Sequence, residues 1–411
     1  MEYIAKKICI VGGGAAGMMA AGTAALYGAE VTIFENTDRL GKKLAITGKG
    51  RCNVTNNSSI QEFLENVTKN PRFLYAALNA FDTYSTMALF EGLGVPLKTE
   101  RGRRVFPVSD KAHDIVDALV RYSKEAKIVN EKVSSLIIED GEVIGLRTNK
   151  AYYFDAVILA TGGMSYPLTG SDGSGYSLAK QAGHTITPII PSLVPLEADK
   201  TLCKRMQGLS LKNVAISIIN KKTGTVVYTD FGEMLFTHFG VSGPMILSAS
   251  SHIRDLPMRD LVLKIDLKPA LDEAQLDTRL LSDFKKFANR DFSNALHELV
   301  PSKMIDVIVD LSGIDPTTKV NSITKAQRKN LLSILKGLEI ELHSFRPIDE
   351  AIITSGGVET KEISPKTMMS KLASNLYFAG EIIDVDAYTG GYNLQIAFST
   401  GFLAGTSASE Y

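Results

Sequence analysis

A chain of 411 residues, 45% hydrophobic and 22% charged, has room for more than one buried core and lacks the bias of a disordered, collagenous or coiled-coil protein. Its 45 basic and 45 acidic side chains cancel, which excludes a bulk field for nucleic acid or an anionic membrane and leaves only local patches. With neither a signal-peptide pattern nor a membrane-length apolar stretch, a cytoplasmic protein with a small-molecule substrate is expected, and the oligomeric state stays open.

The apolar run Ile8–Val11 breaks into Gly12-Gly13-Gly14-Ala15-Ala16-Gly17, leads into a small-residue helix ending near Tyr27, and is followed by Val31–Phe34 closing on Glu35. That is a complete βαβ dinucleotide fingerprint. Gly12 permits the tight turn, Gly14 lets the backbone approach a pyrophosphate, and Gly17 lets the helix pack close to the strand. The helix N-terminus supplies N–H groups for the phosphates, and Glu35 is placed to accept a hydrogen bond from a ribose hydroxyl. The motif by itself leaves NAD and FAD both open.

Cys9, Cys52 and Cys203 include no C-x-x-C pair, so neither a disulfide framework, a zinc cluster nor a dithiol redox centre is expected. The six histidines have no metal-ligand spacing, and no metal is expected. Cys9 belongs to a buried strand. Cys52 sits in the glycine-rich loop Gly41–Asn57, where neighbouring Arg51 would favour a thiolate; the plainer reading is a small residue in a tight loop.

Helical periodicity covers about Ile60 to Gly92 and Lys111 to Lys124, on either side of a basic turn at Arg101-Gly102-Arg103-Arg104. Strands follow at Ile128–Val133, Leu136–Glu139, Val143–Thr148 and Tyr152–Leu159. The last runs into Ala160-Thr161-Gly162-Gly163, which resembles the run that returns the chain to the cofactor in flavoproteins of the glutathione-reductase type. Gly170–Tyr176 is read as a loop packing back on the same site, because no strand and acid follow it.

Pro188, Pro191 and Pro195 mark a boundary. Short strands such as Asn213–Asn220, Thr225–Asp230 and Leu261–Leu267 predict a small barrel or sandwich, and helices are expected at Leu271–Ala288, Ser302–Leu311 and Lys325–Leu335. Beyond Arg346 the glycine-rich character returns. The expected class is α/β: a discontinuous Rossmann domain from 1–190 and 346–411, interrupted at 191–345 by a β-barrel-like domain with a helical subdomain at about 270–337.

The strand Leu376–Ala379, then Gly380-Glu381, then Gly390-Gly391-Tyr392-Asn393-Leu394-Gln395 and an apolar helix decide between the cofactors. An extended FAD needs an acid near its ribityl chain, for which Glu381 is placed. It also needs N–H groups of a helix N-terminus near flavin N1 and O2, where negative charge develops on reduction.

Six ordered motifs carry a resemblance: Val11–Gly17, Gly41–Asn56, Phe106–Ala112, Leu235–Pro244, Thr354–Val358 and Phe378–Gln395. The chain resembles the three-domain bacterial flavoproteins called HI0933-like or aminoacetone-oxidase-like over nearly its whole length. The resemblance implies a glutathione-reductase-type FAD domain with a barrel-like and a helical insertion. It places the backbone of Ala15 and Ala16 at the pyrophosphate, Glu35 at the adenosine ribose, and Lys42 and Lys43 near phosphates or ribose. Thr47, Gly48, Arg51, Cys52 and Asn53 would cover the flavin, and Val133 would meet the adenine edge. Thr161 and Gly162 return to the cofactor, while Gly380, Glu381, Gly391, Asn393, Leu394 and Gln395 complete the flavin end.

Hydride transfer to or from flavin N5 is the implied chemistry. Substrate is expected near the Thr237–Pro244 turn. His238, Tyr392 and Arg51 are weak candidates for the catalytic group, with His238 more plainly a turn residue and Tyr392 more plainly a wall. The first reading is an amine or aminoketone oxidase returning electrons to oxygen. The alternative is reduction of a conjugated enone such as a 3-oxo bile-acid intermediate, with NAD(P)H docking transiently as donor. A third is an RNA-modifying flavoprotein, drawing on the Arg101–Arg104 turn and the lysines near Thr47.

Overall fold

The computed structural model describes residues 5–410. A sheet of 5 parallel strands runs in the order Leu376–Phe378, Ala156–Leu159, Lys7–Val11, Glu30–Phe34, Lys127–Val129. Its central strand is buried from Ile8 to Val11 because both faces are covered, hence the continuous apolar run. The strand Leu376–Phe378 pairs with Val157–Leu159, so the last part of the chain completes the sheet begun by the first. The described residues divide into two compact units, one ending at Ser192 and resuming at Ile348, the other spanning Leu193–Pro347.

In the first unit, helix Ala15–Leu26 packs against the C-terminal helix Tyr392–Ser409. The approach is close: a Cβ on Gly401 would lie 2.5 Å from the Ala16 carbonyl oxygen, and one on Gly405 would lie 2.6 Å from that of Ala20. Both helices are apolar on most of their circumference because both are buried. Their contact brings together the helix starts of two motifs from opposite ends of the chain.

Three expectations are corrected. Ile60–Gly92 is not continuously helical but breaks into Ile60–Glu65, Tyr75–Ala80 and Thr83–Gly92. Pro71 lacks an N–H and disfavours helix at Asn70, which adopts φ 52°; the preceding Val67–Lys69 pairs with Asp386–Ala387. Tyr152–Leu159 divides into Ala151–Tyr153, in an antiparallel sheet, and Ala156–Leu159, in the parallel one. Val133 lies on no strand: the parallel strand ends at Val129 and the antiparallel one starts at Ser135, with Val133 buried in the crossover between sheets.

The second unit is a closed barrel whose strands run Leu196–Ala198, Gly240–Ser242, Val226–Phe236, Ser210–Asn220, Leu261–Asp266 and Leu338–Phe345, the last pairing with the first. Leu338–Phe345 alternates buried and exposed, Leu338, Ile340 and Leu342 facing the core, as a barrel wall requires. Helices Glu273–Lys286, Ser302–Ser312 and Lys325–Lys336 accompany it. The first and third start in capping boxes, Asp272 with Gln275 and Thr324 with Gln327, which satisfy the leading N–H groups.

Candidate functional site

At the C-terminal end of the central strand, Gly12 has φ +104° and sits so close to the return segment that a Cβ would lie 2.5 Å from the Ala160 carbonyl oxygen. A Cβ on Gly17 would lie 1.9 Å from the Gly12 oxygen. A Cβ on Gly14, by contrast, would meet no protein atom within 4 Å. Packing therefore explains Gly12 and Gly17, whereas Gly14 borders open space at the helix start, beside the N–H groups of Ala15, Ala16 and Gly17, which have no intrahelical acceptor.

Glu35 ends the second strand, almost fully buried. Its carboxylate accepts 2.8 Å hydrogen bonds from the Gly13 and Thr37 N–H groups, one on each oxygen. A carboxylate accepts about four hydrogen bonds, so two directions remain for hydroxyl donors.

Lys43 reaches across the chain to Glu381, Nζ to Oε2 at 2.7 Å, and also donates to the Ser165 hydroxyl at 2.7 Å. The other Glu381 oxygen accepts from the Thr354 N–H at 2.8 Å and the Ser165 hydroxyl at 3.2 Å. Neither Ser165 nor Thr354 is among the site residues expected from the sequence. Thr354 belongs to a recognisable motif, but no spacing rule marks Ser165. Lys42 points elsewhere and pairs with Asp38.

The loop after Lys43 turns sharply. Gly48, Lys49, Gly50 and Cys52 all have φ between 57° and 84°, and the Thr47 hydroxyl ties back to the Leu44 carbonyl at 2.7 Å. Cys52 is fully buried, and burial pushes its thiol up to about 12, the reverse of the shift a neighbouring cation would cause. The Arg51 guanidinium bonds Glu100 at 2.5 Å and Asp110 at 2.6 Å and lies 4.2 Å from the Phe106 ring centre, so its charge is engaged by two carboxylates. Asn53, with its amide oriented to satisfy its neighbours, donates to the Thr55 and Val105 carbonyls and accepts from the Gly391 N–H at 3.0 Å.

Gly391 caps the C-terminal helix at φ +95°, where a Cβ would strike the Thr55 backbone at 2.4 Å. No side chain caps that helix, so its first N–H groups keep their capacity for a ligand. The side chains of the following residues are committed to the fold. Gln395 accepts from the Thr55 hydroxyl at 2.6 Å and donates to the Phe81 carbonyl, and Asn393 bonds the Ala387 backbone through both amide atoms. Leu394 is half-buried against the core. Gly380, at φ +76°, approaches Ala16 so closely that a Cβ would lie 2.8 Å from the Ala16 Cβ.

Thr161 and Gly162 follow the strand Ala156–Leu159. The Thr161 hydroxyl is buried without a hydrogen-bond partner among the described residues. Tyr392 is 9% exposed and meets Phe63 edge-on at 5.1 Å, and burial raises its phenol further from neutrality. His238 is exposed in the turn between barrel strands, its ring 5.0 Å from Phe239. No group of three or more His, Cys, Asp or Glu converges as a metal site among the described residues.

Fold and site together define a dinucleotide-binding α/β protein whose cradle is split between the two ends of the chain. The HI0933-like protein Rossmann domain matches residues 6–407, and the chain belongs to that family. It is 31% identical over 412 aligned positions, 98% of this chain and 99% of the relative, to a 3-dehydro-bile acid delta(4,6)-reductase of Clostridium scindens. It is 30% identical to the ribosomal RNA dihydrouridine synthase of Escherichia coli, covering 96% of this chain and 95% of that one. In fold it is similar to the 3-ketosteroid-delta4-(5alpha)-dehydrogenase of Rhodococcus jostii, with TM-score 0.53, 16% identity and coverage of 100% and 98%. The protein is an FAD-dependent oxidoreductase. Its cradle fits the cofactor: open space faces Gly14, the carboxylates of Glu35 and Glu381 stand along it, and the buried Thr161 hydroxyl has no partner among the described residues. No helix of the described residues is long and apolar enough to cross a membrane.

Proposed function

We propose that this protein reduces a carbon–carbon double bond conjugated to a carbonyl, with a reduced nicotinamide as the electron source. One observation carries this reading: two relatives about equally similar over nearly the whole chain bear names that describe the same chemistry on unlike substrates. A 4,6-unsaturated 3-oxo steroid is an enone, and the uracil double bond that is saturated in dihydrouridine is conjugated to a ring carbonyl.

FAD, when bound, supplies the two-electron hydride chemistry. In this reading the chain's own groups hold and orient it. The N–H groups of Ala15 and Ala16 take the pyrophosphate, Glu35 the adenosine ribose, and Glu381, steadied by Lys43 and Ser165, the ribityl chain. The leading N–H groups of helix Tyr392–Ser409 provide positive potential at the flavin end, where negative charge accumulates on reduction.

A second reading, amine oxidation, is favoured by 23% identity to the L-aspartate oxidase of Pyrococcus furiosus over 72% of this chain and 64% of that one. Anaerobic absorbance spectroscopy separates the two. NADH or NADPH should bleach the flavin band, and a 4-en-3-one steroid or uridine-containing RNA should restore it. Bleaching by aminoacetone alone, with peroxide formed on admitting oxygen, would instead establish the oxidase.

A further inference from the structure

The turn that opens the C-terminal helix is gripped at a single peptide bond. The Gly390 carbonyl accepts a hydrogen bond from the Asn56 amide at 3.1 Å, and the Gly391 N–H donates to the Asn53 side-chain oxygen at 3.0 Å. These two groups are the opposite poles of one trans peptide unit, so the two asparagines hold it from both sides. The Asn53 amide donates to the Thr55 and Val105 carbonyls, and the Asn56 amide also donates to the Gly102 carbonyl at 3.1 Å. Both side chains are therefore committed to backbone groups.

The residues that hold the turn are themselves held. The Val54 N–H donates to the Val105 carbonyl at 2.9 Å, the Asn57 N–H to that of Arg103 at 2.8 Å, and Thr55 and Asn56 pair with Val105 and Arg104. Asn56 is 2% exposed, so its bonds are shielded from water. The peptide they grip has little resistance of its own: Gly390 and Gly391 sit at φ +123° and +95°, and neither has a Cβ to oppose rotation of the unit between them. A half-turn of that unit would exchange its N–H and C=O and reverse its dipole immediately before helix Tyr392–Ser409, whose first N–H groups no side chain caps.

We infer that Asn53 and Asn56 are positioning residues that fix the Gly390–Gly391 peptide and so raise the reduction potential of the flavin. With the peptide fixed, the helix start keeps one orientation, and its dipole meets the negative charge of the reduced ring without reorganising. Released, the peptide samples both orientations and the helix start loses that single aim. The neutral oxidised ring is little affected, whereas the reduced ring loses stabilisation. Asn53 therefore acts through the backbone it holds. The inference rests on the placement of FAD given in the proposed function and adds what tunes the flavin there.

The test compares Asn53→Ala and Asn56→Ala with wild type in the FAD-loaded full chain; if an alanine variant fails to fold, serine at the same position takes its place. Midpoint potentials, measured by equilibration with reference dyes, should fall by at least about 30 mV, a tenfold loss in binding of reduced relative to oxidised flavin for a two-electron couple. Hydrogen exchange resolved to single residues should show the Gly391 N–H protected in wild type before FAD is added, and exchanging about tenfold faster in Asn53→Ala as one hydrogen bond is lost. Asp82→Ala removes the N-cap of helix Thr83–Gly92, lowers stability in the same unit, and should keep the wild-type potential. Wild-type potentials in both asparagine variants, an equal fall in Asp82→Ala, or an unprotected Gly391 N–H in wild type would overturn the inference. If FAD leaves exchange at Tyr392–Leu394 unchanged in wild type, the flavin placement falls and the inference with it; slowed exchange there with unshifted variant potentials sinks the inference alone. The substrate does not enter, because the potentials are measured without one.

Discussion

Glu35 shows how one side chain serves fold and ligand together. Its two oxygens satisfy the Gly13 and Thr37 N–H groups, so Glu35→Ala should destabilise the FAD-free protein by about 1–3 kcal/mol as those donors lose a charged acceptor. It should also raise the Kd for FAD by at least about tenfold, an effect of one charge-assisted hydrogen bond. Chemical denaturation and flavin-fluorescence titration measure the two separately, and unchanged FAD affinity would remove Glu35 from the ribose. Cys52 gives the opposite lesson. An adjacent arginine looks like a thiolate-stabilising partner in sequence, but Arg51 turns to Glu100 and Asp110 while burial raises the thiol. All three cysteines are buried, so native protein at pH 8 should resist iodoacetamide; rapid labelling of one thiol per chain, mapped to Cys52, would contradict this.

At the scale of elements, the contact between helices Ala15–Leu26 and Tyr392–Ser409 joins the halves of the site. Gly401→Val places new atoms against the Ala16 backbone, which cannot move without displacing the phosphate-binding turn. The expected cost is about 1–3 kcal/mol of stability from overpacking, with a parallel loss of FAD retention on gel filtration. This seam was partly legible, since Gly401 and Gly405 are one helical turn apart, as are Ala16 and Ala20. Nothing local says that these two faces meet.

A second tie between distant elements is the buried His184. Its ring bonds Glu362 at 3.2 Å and Ser370 at 2.8 Å, joining the end of helix Ser174–Gln181 to the segment before the strand Leu376–Phe378. Burial lowers the affinity of His184 for a proton, and nearby Glu362 opposes this only in part. As pH falls below the ordinary histidine value of 6.5, the unfolded chain takes up a proton that the folded chain refuses, so stability is lost on acidification. His252 shifts the same way, so the informative quantity is a difference: His184→Gln should flatten the fall in denaturation midpoint between about pH 7.5 and about pH 5 relative to wild type. An identical fall in both proteins would show that His184 does not contribute.

For the whole molecule, the main consequence is linkage between cofactor and fold. Binding that favours only the folded state adds about 2.7 kcal/mol at a ligand concentration a hundredfold above Kd. FAD should therefore slow hydrogen exchange most in residues 12–18 and 392–398, far apart in sequence and adjacent in the structure. Slowing confined to the first segment would mean that the C-terminal helix takes no part in holding the cofactor.

The first glycine turn, its helix and its acid were readable because they lie within one βαβ unit, where backbone geometry and short-range sterics set residue type directly. Three of the six barrel strands and the helices Glu273–Lys286, Ser302–Ser312 and Lys325–Lys336 were likewise visible through their periodicities of two and 3.6 residues, whereas the short strands Leu196–Ala198 and Gly240–Ser242 were not. Tertiary structure alone decided the rest. It set Lys43 and Ser165 on Glu381, buried Cys52, and broke the Ile60–Gly92 helix by pairing Val67–Lys69 with Asp386–Ala387. A charge's partner and a thiol's proton affinity depend on which distant residues fold against them, and sequence spacing does not encode that.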